Sequence, residues 1–174
     1  AMYADASSDP ADIKVHKALL GFLGKQGSVR EGLLLIERLD YGNISIDNAA
    51  ADALSKMTDP GIVMPLLDRL KESDRNDDRY INANIRSRLI LAFGEMKAEQ
   101  AVPYLEEVLE NNREDKFMLM YAMVSLGKIG KTTSIAKIAE NLSHSDKQVN
   151  EYAAYALSQY SDSAVVPYLK KMLR

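Results

Sequence analysis

Histidine and cysteine, the side chains that most often bind metals or act as catalysts, are scarce in this chain. Its 174 residues include no cysteine and two histidines, His16 and His144. The two histidines are far apart and form no HExxH motif, so they predict neither a metal site nor a catalytic triad. Without cysteine, disulfides and thiolate metal sites are excluded. We therefore expect no catalytic residue, no metal and no cofactor.

One short segment resembles part of a phosphate-binding loop. Residues 127–132 read GKIGKT, whereas such a loop has four residues between its first glycine and its glycine–lysine pair and follows a β-strand. Here the gap is shorter, and the segment follows a predicted helix. We interpret it as a glycine-containing turn between two helices. The chain also has no GxGxxG or GxSxG motif.

The charge pattern argues against a nucleic-acid partner. Phosphate contacts need lysines and arginines that acidic neighbours do not neutralise. The chain has a formal net charge of −3 and no tryptophan. Its densest basic run consists of Arg69, Lys71, Arg75, Arg79, Arg86 and Arg88. Acidic residues between Asp68 and Asp78 nearly cancel that run, so we expect nucleic-acid binding to be absent.

Apolar residues recur along the chain in four similar units. One column of residues, which we call the anchor column, consists of Leu54, Phe93, Leu126 and Leu157. Eight residues before these lie Ile46, Ile85, Met118 and Val149, and four before lie Ala50, Leu89, Ala122 and Ala153. The residue directly before each anchor is small, namely Ala53, Ala92, Ser125 or Ala156. These spacings place all three columns on one face of an α-helix.

A second apolar set follows each anchor after a short polar turn and predicts a second helix. Its columns are Val63, Val102, Ile135 and Val166; Leu66, Leu105, Ile138 and Leu169; and Leu70, Leu109, Leu142 and Leu173. Neither helix of such a pair can bury its apolar face alone, so the pairs must stack on one another. The longest interval between anchors contains residues 72–79, ESDRNDDR, which we predict to be an exposed loop.

Helix-start signals agree with these spacings. Asp9–Pro10 and Asp59–Pro60 each place a capping carboxylate before a proline at the first helical position. Two further pairs have the spacing of a capping box, Ser28 with Glu31 and Ser145 with Gln148. The predicted helices are 10–23, 28–40, 46–57, 60–72, 80–96, 99–111, 115–129, 132–143, 146–160 and 162–173.

Length and composition predict one folded domain. The chain is 47% hydrophobic and 27% charged, which is ordinary for a soluble folded protein. We assign residues 10–174 to this domain, with 10–40 as an atypical N-terminal cap pair and 45–174 as four regular repeats. Residues 1–9 are predicted to be a flexible leader that starts with a cloning remnant. The predicted buried stripe of the cap pair consists of Val15, Ala18, Leu19 and Phe22.

The sequence predicts no membrane span, because no apolar run approaches the roughly 20 residues that crossing a bilayer requires. We expect a soluble protein. Cytoplasmic and exported locations both stay open, and the absence of cysteine together with the polar leader favours export.

Several short motifs resemble bacterial HEAT-like repeats. Residues 102–105, VPYL, and 166–169, also VPYL, each follow a turn and a small-residue helix. The resemblance covers residues 45–174 closely and 10–40 loosely. It implies an all-α fold, a right-handed α-solenoid, or superhelix, of about five antiparallel helix pairs. Proteins of this kind mostly hold other macromolecules, although some relatives attach bilin pigments to proteins or excise damaged DNA bases. The fold alone does not choose among these functions.

Charge is distributed unevenly along the chain. Residues 1–116 carry 15 basic and 21 acidic side chains, whereas residues 117–174 carry 7 and 4. At equivalent places on second helices, one unit has Glu106, Glu107 and Glu110, and the last has Lys170, Lys171 and Arg174. Second helices line the concave face of HEAT-like solenoids, so we expect an acidic patch in mid-stack and a basic patch near the C-terminal end. A chance difference between two solvated faces is the alternative.

Two tyrosines lie one place after a helix-starting proline, outside the apolar columns. We expect Tyr104 and Tyr168 to be partly exposed and to contact a partner, with packing at the helix end as the alternative. Lys137, on the second helix of the intervening unit, belongs to the same candidate surface. By contrast, Tyr121 and Tyr152 border the buried stripe and are predicted to pack against neighbouring residues.

These patterns favour a non-catalytic scaffold or adaptor that binds another protein along the second helices. Self-association through the oppositely charged patches is a further expectation. The predicted partner-binding residues are Tyr104, Glu106, Glu107, Glu110, Lys137, Tyr168, Lys170, Lys171 and Arg174. The alternatives are a HEAT-like enzyme or enzyme subunit of the pigment-lyase type, and a nucleic-acid-binding HEAT-like protein. A deep pocket with converging carboxylates or arginines would favour the enzyme, and a shallow open groove the adaptor.

Overall fold

The computed structural model describes residues 9–39, 43–75, 83–111 and 115–172, and in these residues all regular structure is helical. Ten α-helices are present there, as the spacing predicts. They are α1 (Pro10–Gln26), α2 (Val29–Glu37), α3 (Ile44–Leu54), α4 (Val63–Arg75), α5 (Ala83–Glu95), α6 (Val102–Glu110), α7 (Lys116–Ile129), α8 (Ile135–Glu140), α9 (Lys147–Ser158) and α10 (Val166–Met172). The prediction of an all-α fold is confirmed for these residues. The superhelical sense stays a prediction.

A short 3₁₀ turn directly precedes most second helices. The sequence pattern predicted the turn and the helix as one continuous helix. Such turns precede four of them at Pro60–Ile62, Glu99–Ala101, Thr132–Ser134 and Ser163–Val165. In the first, Asp59 accepts a hydrogen bond from the Gly61 backbone N–H at 2.9 Å. The predicted Asp–Pro caps are therefore confirmed, since Asp9 likewise accepts from the Ala11 N–H at 2.8 Å.

The helix start near residue 146 differs from the prediction by one residue. Asp146, and not Ser145, is the N-cap of α9, and its carboxylate accepts a hydrogen bond from the Gln148 N–H at 2.8 Å. Aspartate and serine are both good N-cap residues, so the sequence pattern did not decide between the two neighbouring positions. At the other predicted box, Ser28 is the N-cap of α2 but its side chain caps no backbone N–H. Its hydroxyl donates to the Glu31 carboxylate instead.

The chain divides into two compact units, Ala1–Ala92 and Phe93–Arg174. In the first unit, α1 packs against both α2 and α3, and α2 packs against α3 and α4. In the second unit, α7 packs against α6 and α9, and α8 packs against α6 and α9. Consecutive pairs thus meet through their first helices, as in α1 with α3 and α7 with α9, and a second helix also packs against the first helix of the next pair, as in α2 with α3 and α8 with α9. The assignment of residues 10–174 to a single domain stays a prediction.

The predicted apolar columns form the core of both units. All four anchor residues are buried, as are the columns eight, four and one residues before them. Second-helix residues in the first two columns are also buried from Val63 to Ile138. The last pair departs from this pattern, because Val166 is exposed although its column is predicted to be buried. No described element follows α10 to cover it.

Successive first helices approach each other closely where a glycine meets a small residue. A Cβ added to Gly24 of α1 would lie 2.8 Å from the Cβ of Ala53 on α3. Within the second unit, a Cβ on Gly127 would lie 2.7 Å from the Ala156 backbone oxygen. Non-bonded carbon atoms pack at about 3.5–4.0 Å. Each glycine therefore lets its helix come nearer to the next than alanine would allow.

Two predictions about the first unit are wrong. The stripe of Val15, Ala18, Leu19 and Phe22 is exposed, because α3 packs on the other side of α1, where Leu20 and Gly24 are buried. The predicted loop at residues 72–79 begins too early, since α4 continues to Arg75 and Ser73 is buried. The rest of that loop, from residue 76, lies outside the described residues.

Among the described residues, no helix has the length and hydrophobicity that a bilayer span requires.

Two glycines on the same helix offer a matched test of the close contact. Gly24→Ala is expected to lower the free energy of unfolding by about 1–3 kcal/mol, because its methyl group overlaps Ala53. Gly21→Ala is expected to raise it by about 0.5–1 kcal/mol, because a Cβ there meets no atom within 4 Å and alanine favours the helix. Chemical denaturation measures both. Equal effects of the two substitutions would show that the contact is not tight.

Candidate functional site

The predicted site residues of α6 and α8 form a charged cluster centred on Glu106. One carboxylate oxygen of Glu106, Oε1, accepts a hydrogen bond from the Ser134 hydroxyl at 2.7 Å. The other, Oε2, lies 3.2 Å from the Lys137 ammonium nitrogen. That nitrogen also lies 2.5 Å from Oε1 of Glu110. We call these four residues, Glu106, Glu110, Ser134 and Lys137, the carboxylate cluster.

The helical pattern explains how these side chains meet. Glu106 and Glu110 are four residues apart, so they lie on the same face of α6. In sequence, Lys137 lies between the buried residues Ile135 and Ile138 of α8. The aliphatic part of its side chain therefore starts at the edge of the core. Since α6 and α8 are in contact, the lysine reaches both carboxylates across the gap between second helices. Stacking of consecutive pairs therefore creates the cluster.

The two glutamates of the cluster differ in exposure to solvent. The Glu106 side chain is 18% exposed and the Glu110 side chain 63% exposed. A hydrogen bond to Glu110, and a weaker contribution from a hydrogen bond to Glu106, raise the pKa of Lys137 above its ordinary value. The lysine consequently stays charged throughout the neutral range. Glu106 is held by two partners, whereas Glu110 presents its carboxylate to solvent.

The negative charge of Glu106 also acts on a buried tyrosine, Tyr160. Tyr160 donates a hydrogen bond from its hydroxyl to the Leu126 backbone oxygen at 3.0 Å. Burial, and secondly the negative charge of Glu106, raise the pKa of Tyr160 to about 12. Both effects disfavour a phenolate. Tyr160 is therefore a neutral hydrogen-bond donor that ties the C-terminal end of α9 to α7.

The predicted acidic patch is only partly acidic. Glu106 and Glu110 are paired with Lys137, whereas Glu107 points to the exposed side of α6. Sequence position alone did not indicate this pairing, because Lys137 lies 27 residues after Glu110. The exposed acidic groups of this face are therefore Glu107 and the solvent side of Glu110.

The two tyrosines predicted to be partner contacts have different environments. Tyr104 is only 3% exposed, so the prediction that it is accessible is wrong. It lies four residues before the buried Val108 on α6, and the face they share is covered where α6 packs against α7 and α8. Tyr168 is 37% exposed, as predicted. Its role as a contact residue stays a prediction.

The predicted basic patch is described only in part. Lys170 is exposed on α10. Lys171 lies in the same helix, and Arg174 lies outside the described residues. The role of these three residues in binding stays a prediction.

The remaining sequence candidates have local structural partners. The His16 Nδ1 atom lies 2.9 Å from the Asp12 backbone oxygen, and the His144 Nδ1 atom accepts a hydrogen bond from the Asp146 N–H at 3.0 Å. In residues 127–132, Gly130 ends α7 with a φ of 79°, which confirms the predicted turn. Among the described residues, no group of three His, Asp or Glu side chains could hold a metal ion.

Tyr121 and Tyr152 pack against each other, as predicted. Their ring centroids are 6.5 Å apart in a T-shaped arrangement. This geometry is a preferred one for aromatic pairs and links α7 to α9.

Sequence reasoning missed the contact of Ser134 with Glu106 and the hydrogen bond from Tyr160 to Leu126. A signal for Ser134 was present in the sequence. In the other three regular pairs, the residue just before the first apolar position of the second helix is apolar. These residues are Ile62, Ala101 and Val165, and all are buried. A buried serine at that position needs a hydrogen-bond partner, and Glu106 supplies it. Tyr160 had a comparable signal, because the other residues three places after an anchor are apolar, namely Met57, Met96 and Ile129.

Part of the chain matches a known family of helical repeats. Residues 85–111, from α5 through α6, match the family described as PBS lyase HEAT-like repeat. The predicted resemblance to HEAT-like repeats is thereby confirmed. No curated protein sequence matches the chain.

Among solved structures, human deoxyhypusine hydroxylase in complex with glycerol is similar at 15% identity, with a TM-score of 0.44. The alignment covers 87% of this chain and 81% of that one.

The buried hydroxyl predicts a measurable dependence of stability on alkaline pH. The pKa of Tyr160 is about 12 in the folded chain and near 10.0 when exposed, so its contribution is complete below about pH 10 and is lost as the pH rises to about 12. In Tyr160→Phe, the free energy of unfolding should therefore fall less steeply across that range. It should also be about 1 kcal/mol lower at neutral pH, because the bond to Leu126 is lost.

Denaturant unfolding at a series of pH values checks this expectation. Tyr155→Phe is the control, because it removes the same hydroxyl group from an exposed side chain. An identical alkaline slope in Tyr160→Phe and the unaltered chain would contradict the assignment.

Proposed function

We propose that this HEAT-like repeat protein is a non-catalytic interaction module that binds another protein along its second helices. The partner-binding surface consists of the exposed side of α6 and α8, with Glu107 and Glu110 as its charged contacts. Tyr168 and Lys170 on α10 extend the surface toward a second set of contacts. No residue of this surface needs to carry out chemistry for it to function.

The observation that carries this proposal is the fixed geometry of the carboxylate cluster. Ser134 and Lys137 hold Glu106, and Lys137 also orients Glu110. A side chain already held in one conformation loses less entropy on binding, which favours affinity. The Glu110 side chain is 63% exposed, so a partner can reach its carboxylate while Lys137 holds that carboxylate in position.

Charge indicates the kind of partner that fits. Glu107 and Glu110 present two carboxylates on neighbouring turns of α6, with one lysine beside them. Lysine or arginine side chains of a partner would be attracted to the carboxylates, and Lys137 would disfavour a wrong register. The proposed partner is therefore a protein with a basic binding segment. An exposed charge pair acts mainly on association rate and specificity.

The open geometry supports the adaptor over the pigment-lyase alternative. A catalytic site generally encloses its substrate in a concave pocket with converging polar groups. In the carboxylate cluster, Glu110 faces solvent, and the carboxylate of Glu106 is already bound by Ser134 and Lys137. No observation on the described residues favours a particular reaction.

Site-specific photo-crosslinking tests where the partner binds. A photoreactive amino acid at position 107 or at Ala136, both exposed on second helices, is expected to capture the same protein in the source cells. The same group at Glu151, which is exposed on the first helix α9, should not. Capture only from position 151, or equal capture from all positions, would contradict the proposed surface.

Charge reversal on the identified partner then tests the electrostatic contribution. Glu107→Lys is expected to weaken binding about tenfold at low salt and to reduce the dependence on ionic strength. Glu151→Lys has the same charge change on the other helix of a pair and should leave the affinity unchanged. Glu106 is not suitable for this purpose, because its replacement would also remove the Ser134 and Lys137 contacts. Equal losses in both variants would refute a specific acidic contact.

A further inference from the structure

Helix α1 exposes a stripe of large apolar side chains. Val15, Leu19 and Phe22 are 57%, 57% and 59% exposed. Their spacing of four and three residues puts them on one side of the helix. Single exposed apolar residues are common on protein surfaces, but a contiguous stripe marks an interaction site.

Comparison with the repeats shows what normally covers this stripe. Gly24 contacts Ala53 in the way that Gly127 contacts Ala156, so the residue before Gly24, Leu23, corresponds to the anchor column. Val15, Leu19 and Phe22 then lie eight, four and one residues before the anchor. In α3, α7 and α9 these three columns are buried. A helix of the preceding pair packs beside them, as α1 does on α3 and α7 does on α9.

The stripe is not built to receive another repeat in the usual way. Phe22 occupies the column that holds Ala53, Ser125 or Ala156 elsewhere. A phenyl ring there prevents the close approach that a glycine and a small residue allow. A helix packed on this stripe would instead sit at an ordinary interaxial distance of about 8–10 Å. It would place its own apolar side chains around Phe22.

A basic edge borders the stripe. At about 100° per residue, Lys14 and Lys25 fall on the same side of it, and both are exposed. Beyond this edge lies an open groove of about 430 Å³ between α1 and α3. Its lining consists of Lys17, Gly21, Gly24, Lys25, Ala49, Asp52, Ala53 and Lys56. The acidic member, Asp52, is paired with Arg88, so the groove is basic overall.

We propose that this face of α1 binds an amphipathic helix of a partner protein whose apolar stripe is bordered by acidic residues. The apolar residues of that helix would cover Leu19 and Phe22. Its acidic edge would lie along Lys14 and Lys25 and reach toward Lys17 in the groove. This surface consists of different residues from the carboxylate cluster, and it selects a partner of opposite charge.

Charge also distinguishes this occupant from a second copy of the chain. Two α1 helices packed antiparallel about a two-fold axis would place the same edge of each helix together. Lys14 of one copy would then lie near Lys25 of the other. That arrangement brings like charges together, whereas an acidic edge neutralises them.

Two synthetic helical peptides provide the test. Both carry leucines at the spacing of one helical face, and one has glutamates and the other lysines along the border. The 174-residue chain is expected to bind the glutamate-bordered peptide in fluorescence anisotropy at least tenfold more tightly than the lysine-bordered one. The double variants Leu19→Gln with Phe22→Gln, and Lys14→Glu with Lys25→Glu, should each weaken this binding at least tenfold.

Met64→Gln is the matched control, because Met64 is an exposed apolar residue on α4 of the same unit. It should leave the affinity unchanged, and circular dichroism should show that all variants stay helical. The proposal is overturned if neither peptide binds, or if both bind equally.

Two further outcomes would identify a different occupant and also overturn the proposal. One is binding to vesicles of phosphatidylglycerol, but not of phosphatidylcholine, that the same double variants abolish. The other is a concentration-dependent dimer in sedimentation equilibrium that Leu19→Gln with Phe22→Gln dissociates. In either case the face binds an anionic membrane or a second copy of the chain in place of the acidic helix.

Discussion

The close contact between successive first helices is the constraint on which the repeats depend. A glycine at one side of a helix meets an alanine or serine on the next, as Gly24 meets Ala53 and Gly94 meets Ser125. Removal of a side chain brings the helices together, so the larger residues on either side interlock and exclude water. Glycine costs helix stability, and the gain in packing offsets that cost. The second helices, and the surface they carry, are positioned by this spacing.

Ion pairs between consecutive helical pairs add specificity to that packing. They join Asp52 to Arg88, Glu95 to Lys128, Lys116 to Asp146, Glu99 to Lys131, and Glu106 and Glu110 to Lys137. Most of these groups are substantially exposed, and such pairs contribute little to stability. Their value lies in register, because a shift of one helix along another would separate several pairs. They also neutralise many charges that the sequence alone would place on an open surface.

The proposed binding surfaces follow from this arrangement in different ways. The carboxylate cluster forms because stacking joins the acidic residues of α6 to the serine and lysine of the next pair. The face of α1 is exposed because Leu20 and Gly24 turn toward α3, which leaves Val15, Leu19 and Phe22 uncovered. One surface offers fixed carboxylates, and the other offers apolar side chains with a basic edge. Their chemistry suits partners of opposite charge.

Local patterns in the sequence determined the ten helices, their pairing and nearly all of the core. Periodic apolar residues such as Leu54 and Leu126 specify a buried face, and Asp9 and Asp59 specify helix starts, because these effects act within a few residues. Only the tertiary structure decided which charged residues meet and which exposed positions are covered. Lys137 reaches Glu106 and Glu110 across a contact between separate helices, and the same stacking buries Tyr104 while leaving Tyr168 accessible. Which side of α1 faces the core was likewise settled by where α3 packs, since both of its sides carry apolar residues and periodicity alone does not distinguish them.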